Sequence, residues 1–260
     1  MLLYILIYMF WKLSSAKLIF FIPPKVGCTT FKYFMYKLKN IQVSDLHYVH
    51  DVQMYLNSEF HTNIEESYEL IKNNGYKCAI IVRNPYDKFL SGLVNKFIIH
   101  HPNNHEKNIA EIKCSPSPMV NNFYKYFQSN ISDDFSLITL KDLIDFHTNE
   151  EFISQNIIDN HFTNIYSSLP FKDILKIDDY IIIKCENDVV KELNSLLKTN
   201  IIIDEKLNQS KYSSTDISQS ELLNTCTNNE LIKEHPYYIE RVNNAFKYDF
   251  IYFNYDVKHT

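Results

Sequence analysis

The sequence predicts an α/β fold in which a parallel sheet is flanked by helices, within a single domain that spans residues 1–260. Three apolar runs typical of buried strands occur at residues 18–22, 78–82 and 180–184, with helical patterns between them. Strands that alternate with helices form parallel sheets, which bind ligands at the carboxyl ends of the strands. A chain of 260 residues, 45% of them hydrophobic, can bury such a core without disulfides.

The first predicted strand leads into a short basic loop, PKVGCTT, at residues 24–30. An amphipathic helical pattern follows at once, so the loop ends at a helix N-terminus, which binds phosphate through its exposed N–H groups. Gly27 allows a close approach of the backbone to an oxyanion, and Lys25 adds a full charge. Thr29 and Thr30 can cap the helix and donate hydroxyl hydrogen bonds. The loop is therefore a candidate anion site, although a plain strand-to-helix turn also explains it.

The second predicted strand leads into Arg83, Asn84 and Pro85 and then into another helix. Pro85 suits a first helical turn, because its missing N–H is not needed there. Ser91 lies about two turns into the helix. A guanidinium at the strand end and a hydroxyl on the helix can hold one phosphate from two sides. The alternative is that Arg83 pairs with a nearby carboxylate. Two such turns, each with a cation, suit a ligand that carries phosphates at both ends.

Residues 24–30 together with residues 82–97, VRNPYDKFLSGLVNKF, resemble the Golgi carbohydrate sulfotransferases, the group that contains the chondroitin and dermatan 4-O-sulfotransferases. The resemblance implies a P-loop-like central parallel sheet and the co-substrate 3′-phosphoadenosine-5′-phosphosulfate (PAPS). It also implies a hydroxyl of a carbohydrate or glycan as the acceptor. By this resemblance the 5′-phosphosulfate is bound by Lys25, Val26, Gly27, Cys28, Thr29 and Thr30. Likewise, the 3′-phosphate is bound by Arg83 and Ser91, and Lys211 falls in a stretch that resembles the family's Asn-x-Thr-Lys.

Some positions depart from the family pattern. Lys88 stands where the family has an arginine, and Phe162 stands where it has a tryptophan. Residues 169–172, LPFK, replace a cysteine pair, so the disulfide that the family would form there is absent. These departures concern the acceptor and the compartment more than the donor site.

Histidines are the first candidates for the general base that removes the acceptor proton, because imidazole titrates near neutral pH. His50 ranks first, since it lies beside Asp51 in a VHD stretch shared with relatives. His61 ranks second and His161 third, the latter within a stretch that resembles the family's aspartate-x-His. Two further candidates are His47 and Glu186. Each histidine is also explained, and more simply, as a surface or core-edge side chain.

Two other activities are compatible with the same pattern. A P-loop-like small-molecule kinase would use ATP, and it would need a magnesium carboxylate at a strand end that the sequence does not identify. This loop also differs from a Walker A motif, because its lysine precedes its only glycine. A non-catalytic nucleotide- or glycan-binding module on the same fold is the second alternative.

Composition argues against several classes of function. The formal net charge of −5 argues against a nucleic-acid-binding protein, although a local basic groove for an anionic glycan remains compatible with it. The five cysteines are odd in number, and no pair has metal-ligand spacing, so neither a disulfide framework nor a zinc site is expected. We expect no metal cofactor.

The N-terminal apolar segment, residues 1–17, opens with eleven almost wholly apolar residues. This run is too short to span a bilayer and lacks a basic n-region. We expect a buried opening strand or helix; the alternative is a short or truncated anchor that associates the chain with a membrane. The resemblance implies the Golgi lumen or membrane, and a cytoplasmic location follows if residues 1–11 are not an anchor.

The remaining pattern predicts where helices and loops fall. Helices are expected at residues 63–72, ended by Gly75, and at 189–197, 219–226 and 237–247. Residues 100–136 contain several prolines and many polar residues, which predicts an irregular insertion on the acceptor side. His100, His101 and His105 fall in this region, where the flanking residues indicate a solvated loop rather than a metal site.

Overall fold

The computed structural model describes residues 10–43, 58–93, 118–133, 138–155, 157–158, 161–203 and 229–259. These residues group into two compact units. The sheet unit draws on Met1–Asn84 and Ser168–Gln209, and the helical unit draws on Pro85–Ser167 and Ser210–Thr260.

Within the described part of the sheet unit, four strands lie in the order β1-β2-β3-β4: Phe10–Leu13, Leu18–Phe21, Lys77–Val82 and Ile181–Lys184. Strands β2, β3 and β4 are parallel, with Phe21 opposite Ile80 and Val82 opposite Lys184. The predicted α/β class with a mostly parallel sheet is therefore confirmed. Since the three parallel strands point the same way, the loops that follow them leave the same edge of the sheet.

Strand β1 lies in the N-terminal apolar segment, residues 1–17, where a buried opening strand or helix is expected. Residues Phe10–Leu13 pair antiparallel with β2 and form the edge of the sheet. The connection is a single 3-10 turn, and Lys17 completes it in the left-handed region at φ 50°. Trp11 is fully buried on Phe31, Tyr36 and Phe60, so the expectation of a buried opening strand holds for this part of the segment.

The described residues of the sheet unit form three α-helices. Helix α1, Cys28–Leu38, buries its apolar face through Phe31, Phe34 and Met35. Helix α2, Ile64–Asn74, begins where Asn63 accepts a hydrogen bond from the Glu66 N–H, and it ends at Gly75 with φ 71°. The third helix lies at Val189–Leu197, as predicted, and contacts both β4 and α1; it is numbered α7 in chain order.

The helical unit packs around one aromatic-rich core. Its helices, in chain order, are α3 (Pro85–Leu93), α4 (Pro118–Asn130), α5 (Leu140–His147), α6 (Glu150–Ser154), α8 (Asn229–Glu234), α9 (Pro236–Ala245) and α10 (Lys247–Tyr252). Fully buried rings of Phe89, Phe123, Phe127, Phe162 and Phe246 fill the centre.

Helix α4 shows that residues 100–136 are not irregular throughout, so that prediction is wrong for residues 118–130. The physical reason is that Pro118 occupies the first helical position, where proline starts a helix rather than breaking one. Phe123 and Phe127, four residues apart, then place one face of the helix in the core. Residues 100–117 and 134–136, and the helix predicted at 219–226, lie outside the described residues.

Among the residues that the structure describes, no helix is both long and apolar enough to cross a bilayer.

Candidate functional site

The loop between β2 and α1 bends through two left-handed residues. Lys25 has φ 67°, and Gly27 has φ 86° and ψ 26° as the N-cap of α1. The first intrahelical bond is donated by the Phe31 N–H to the Gly27 carbonyl at 3.1 Å. Thr29 and Thr30 therefore lie inside the first turn, and the prediction that they cap the helix is wrong.

The first turn of α1 supplies the backbone donors of an anion site. The N–H groups of Cys28, Thr29 and Thr30 precede the first i→i−4 bond, so they point out of the N-terminal end of the helix. The positive end of the helix dipole lies at the same place. Val26 is buried and anchors the loop to the core. This geometry suits a phosphate or phosphosulfate group.

A second reason for a glycine at position 27 is the close approach of the Cys185 side chain. A Cβ atom placed on Gly27 would lie 3.2 Å from the Sγ of Cys185, which follows β4. The glycine is therefore fixed both by its positive φ and by a close approach to a side chain. Sequence reasoning did not identify Cys185 as part of this loop, because only the pairing of β3 with β4 brings it there.

Arg83 connects the two predicted anion loops. Its Nη1 donates a hydrogen bond to the carbonyl oxygen of Lys25 at 3.1 Å. Among the described residues, the partner of Arg83 is thus a backbone carbonyl rather than the carboxylate that the alternative expected. The hydrogen bond spans the gap between the loops that follow β2 and β3. Lys25 and Arg83, 58 residues apart in the sequence, therefore belong to one local structure.

Glu186 holds the loop that follows β3. Its Oε1 accepts a short hydrogen bond from the N–H of Asn84, and the neighbouring Cys185 N–H donates to the Val82 carbonyl at 2.8 Å. The carboxylate is exposed at this edge of the sheet. Glu186, a candidate base from the sequence, therefore also has a structural role.

A second lysine lies at the start of α1. The Lys32 side chain is buried and comes one turn after Cys28. Burial lowers the pKa of Lys32, and the interaction with the Cys28 thiol group opposes that decrease. Helical side chains point back toward the N-terminus, which directs the Lys32 side chain toward the first turn. Sequence reasoning missed this residue; its i,i+4 spacing from Cys28 is the signal that would have identified it.

His161 and Ser91 belong to the helical unit. Ser91 lies on α3 and is half-buried. His161 is half-buried too, and its carbonyl oxygen accepts a hydrogen bond from the Nζ of Lys88 at 3.1 Å. Lys88 is fully buried, and it donates a second bond to the Thr163 carbonyl at 2.7 Å.

The other base candidate that the structure describes is His61. It forms an isolated antiparallel bridge with Trp11 on the outer side of β1. That position is two strand spacings from β2, about 10 Å in the hydrogen-bonding direction. His47, His50 and Lys211 lie outside the described residues, so their predicted roles stay predictions.

None of the described cysteines, Cys28, Cys78 and Cys185, forms a disulfide bond. Burial raises the pKa of the Cys78 thiol far above its usual range, which makes it an inert core residue. No group of three or more His, Cys, Asp or Glu side chains within the described ranges could hold a metal ion.

Comparison with known protein families identifies the family to which this chain belongs. The model of the Sulfotransferase family matches residues 9–256, which is nearly the whole chain. Comparison with curated proteins and with solved structures found no match.

Proposed function

Because the chain belongs to the sulfotransferase family, we propose that it transfers the sulfonyl group of PAPS to a hydroxyl of a carbohydrate. The observation that carries this proposal is the hydrogen bond from Arg83 to the Lys25 carbonyl, which joins two cationic loops at one edge of the sheet. A donor with a phosphosulfate at one end and a 3′-phosphate at the other needs two anion sites at a fixed separation. A loop pair held together by its own side chain supplies that fixed separation.

The first loop would bind the 5′-phosphosulfate. N–H groups of the first turn of α1 and the Lys25 ammonium face the phosphate that departs. During transfer, the acceptor oxygen forms a bond to sulfur while the bond from sulfur to the phosphate oxygen breaks. The leaving group is 3′,5′-bisphosphoadenosine (PAP), and a general base takes the acceptor proton. Because negative charge builds up on the leaving phosphate, Lys25 and the buried Lys32 stabilise the transition state more than the ground state.

The second loop would bind the 3′-phosphate. One N–H of the Arg83 guanidinium is donated to the Lys25 carbonyl, and its other N–H groups are suited to a phosphate in a forked geometry. Ser91 adds a hydroxyl donor in this proposal. The carbohydrate acceptor and a Golgi location rest on the resemblance of residues 24–30 and 82–97 to Golgi carbohydrate sulfotransferases.

The donor is tested by isothermal titration calorimetry with PAP, AMP, ATP and adenosine 5′-phosphosulfate. PAP binds most tightly if Arg83 recognises a 3′-phosphate. Arg83→Ala then weakens PAP by about 10- to 150-fold, because a hydrogen bond to a charged group contributes about 1.5–3 kcal/mol. AMP, which lacks the 3′-phosphate, is weakened less, because it loses only the support that Arg83 gives to the first loop through the Lys25 carbonyl. Equal affinities for PAP and AMP, or tightest binding of ATP, would contradict the proposal and favour a kinase.

Transfer itself is tested with radiolabelled PAPS against a panel of desulfated glycans and a panel of phenols and steroids. Label on a glycan supports the carbohydrate acceptor, whereas label on phenols alone would replace it with a small-molecule acceptor. EDTA leaves the rate unchanged in a sulfonyl transfer that needs no divalent metal. A rate abolished by EDTA and restored by magnesium would point instead to phosphoryl transfer from ATP.

A further inference from the structure

Arg83 directly follows β3, and the peptide groups on both sides of it are held by the turn that follows β4. The carbonyl of the preceding peptide, at Val82, accepts a hydrogen bond from the Cys185 N–H at 2.8 Å. The N–H of the following peptide, at Asn84, donates a hydrogen bond to the Glu186 carboxylate. Because peptide groups are planar, two fixed planes leave the Arg83 backbone little rotation about φ and ψ.

The Glu186 side chain takes the place of a strand carbonyl. In a continued parallel ladder, the Asn84 N–H would donate to a carbonyl of the neighbouring strand. The chain turns away there instead, since the Asn187 N–H bonds to the Lys184 carbonyl at 3.1 Å and α7 begins at Val189. The carboxylate therefore supplies the acceptor that the sheet itself no longer offers.

The same turn also reaches the first anion loop. A Cβ on Gly27 would lie 3.2 Å from the Cys185 Sγ, so Cys185 lies against that loop as well as against the end of β3. The Arg83 side chain reaches the loop too, because its Nη1 donates to the Lys25 carbonyl at 3.1 Å. Arg83 is thus held at its backbone and at its guanidinium. All of these residues belong to the sheet unit, so the arrangement is independent of the helical unit.

A carboxylate is an unexpected neighbour for an anion site. Glu186 is exposed, and its carboxylate bonds to the residue next to Arg83, so its negative charge repels a phosphate bound there. Solvent and salt weaken this repulsion without removing it. Electrostatics alone therefore favours a neutral residue at position 186. The hydrogen bond to the Asn84 N–H gives the carboxylate a role that offsets its charge.

We propose that Glu186 is a positioning residue that orients Arg83 for the 3′-phosphate of the donor. This inference rests on the proposed sulfonyl transfer from PAPS. Glu186 acts through the peptide between Arg83 and Asn84, and it contacts neither the donor nor the acceptor. A guanidinium that is oriented before the donor arrives loses less conformational entropy on binding, so it binds the phosphate more tightly. A general base would instead act on kcat and leave PAP affinity unchanged.

The test compares Glu186→Ala with Glu186→Gln by calorimetric titration with PAP and with AMP. Glu186→Ala removes both the acceptor and the charge, and it weakens PAP by about 3- to 10-fold, the size expected for one hydrogen bond. The affinity for AMP falls less, so the ratio of the two affinities decreases. Glu186→Gln removes the charge and keeps an oxygen acceptor, so its PAP affinity stays at or above the wild-type value.

A double-mutant cycle and a matched control separate positioning from general effects. In the Arg83→Ala background, Glu186→Ala causes no further loss of PAP affinity, because the group that it orients is gone. The control is Glu69→Ala, since the Glu69 carboxylate is exposed on α2 and accepts a hydrogen bond from the Asn73 side chain at 2.6 Å. It keeps the wild-type PAP affinity. Without any ligand, amide hydrogen exchange at Asn84 is faster in Glu186→Ala than in the wild type.

Three results would overturn the inference. Glu186→Ala could bind PAP as tightly as the wild type or more tightly, which would mean that its charge matters and its hydrogen bond does not. Equal losses of PAP affinity in Glu186→Ala and Glu186→Gln would show that the acceptor oxygen is not the cause. A fall in kcat with unchanged PAP affinity would assign Glu186 as the base.

Failure of this inference is distinguishable from failure of the proposed function. In each of the three cases, a wild-type protein that prefers PAP over AMP still supports sulfonyl transfer. If the wild-type protein binds PAP no better than AMP, the proposed function itself fails, and the role of Glu186 in recognising a 3′-phosphate fails with it.

Discussion

Replacing Gly27 by alanine isolates the conformation of the phosphate loop from its charge. Gly27 has φ 86°, which side-chain-bearing residues rarely adopt, and an added Cβ lies 3.2 Å from the Cys185 Sγ. The substitution removes no hydrogen-bonding group and no charge. Any loss of ligand binding therefore reports on the shape of the loop alone.

The expected magnitude follows from the backbone energy. A left-handed conformation in a residue with a Cβ is unfavourable by about 1–2 kcal/mol. In the free protein the loop can relax by rotating out of this conformation, and ligand binding must then restore it. PAP affinity should therefore fall by about 5- to 30-fold. The contact with Cys185 adds to this loss, because the sulfur must move by a few tenths of an ångström.

The assay is calorimetric titration with PAP, together with urea unfolding of each variant. Gly75→Ala is a matched control, since Gly75 has φ 71° at the end of α2 and an added Cβ there meets no atom within 4 Å. Gly75→Ala loses stability from the same backbone term, but only Gly27→Ala loses PAP affinity. In the double variant Gly27→Ala/Cys185→Ala, the part of the loss that comes from the sulfur contact is recovered.

Two outcomes would refute this reasoning. Unchanged PAP affinity in a folded Gly27→Ala protein would mean that the loop does not need its left-handed conformation to bind the donor. An equal loss of affinity in Gly75→Ala would mean that the effect comes from general destabilisation. If Cys185→Ala recovers no PAP affinity in the double variant, the whole loss comes from the left-handed backbone conformation of residue 27.

Three further predictions concern other residues. Lys25→Ala lowers single-turnover transfer by orders of magnitude and PAP affinity much less, because its charge acts mainly as the leaving group departs; equal losses in both quantities would contradict this. Glu186→Gln keeps near-wild-type activity, because its amide oxygen still accepts from the Asn84 N–H, whereas a Glu186 that acted as the base would lose turnover on the same change. Burial raises the pKa of Asp249 to about 6, so the folded protein holds a proton that the unfolded chain releases. The free energy of unfolding therefore decreases as pH rises from about 4 to about 6, and urea titrations of Asp249→Asn lack this slope.

The sequence predicted the elements whose signals are local. The three parallel strands are short apolar runs, and Asp188 and Gly75 are typical helix-boundary residues. Strand β1 was less clear, because a single 3-10 turn separates it from β2, and no glycine or proline marks the reversal. Helix α4 was missed because prolines were taken to break helices, although Pro118 lies where a helix begins.

The sequence predicted the part of the candidate site that consists of loops after strands. Lys25 and Gly27 lie in the loop after β2, and Arg83 directly follows β3, so their position at the sheet edge is a consequence of topology. The contacts that fix the loops join residues far apart in the sequence. Asn84 bonds to Glu186 across 102 residues, and no periodicity in a single sequence encodes that pairing. Lys88 was noticed only as a departure from the family pattern, since its bonds to the segment 161–166 also depend on tertiary packing.

Lys25 has a left-handed backbone conformation, and the hydrogen bond from Arg83 stabilises it. A lysine at φ 67° is unfavourable by about 1–2 kcal/mol relative to an ordinary conformation, so it persists only if its surroundings hold it there. The bond from the Arg83 guanidinium to the Lys25 carbonyl contributes about 1.5–3 kcal/mol, which is enough to offset that strain. Arg83 therefore stabilises the shape of the first loop as well as serving the second. A 3′-phosphate bound at Arg83 would act on the same guanidinium that holds the 5′ loop, so recognition of one end of the donor prepares the site for the other.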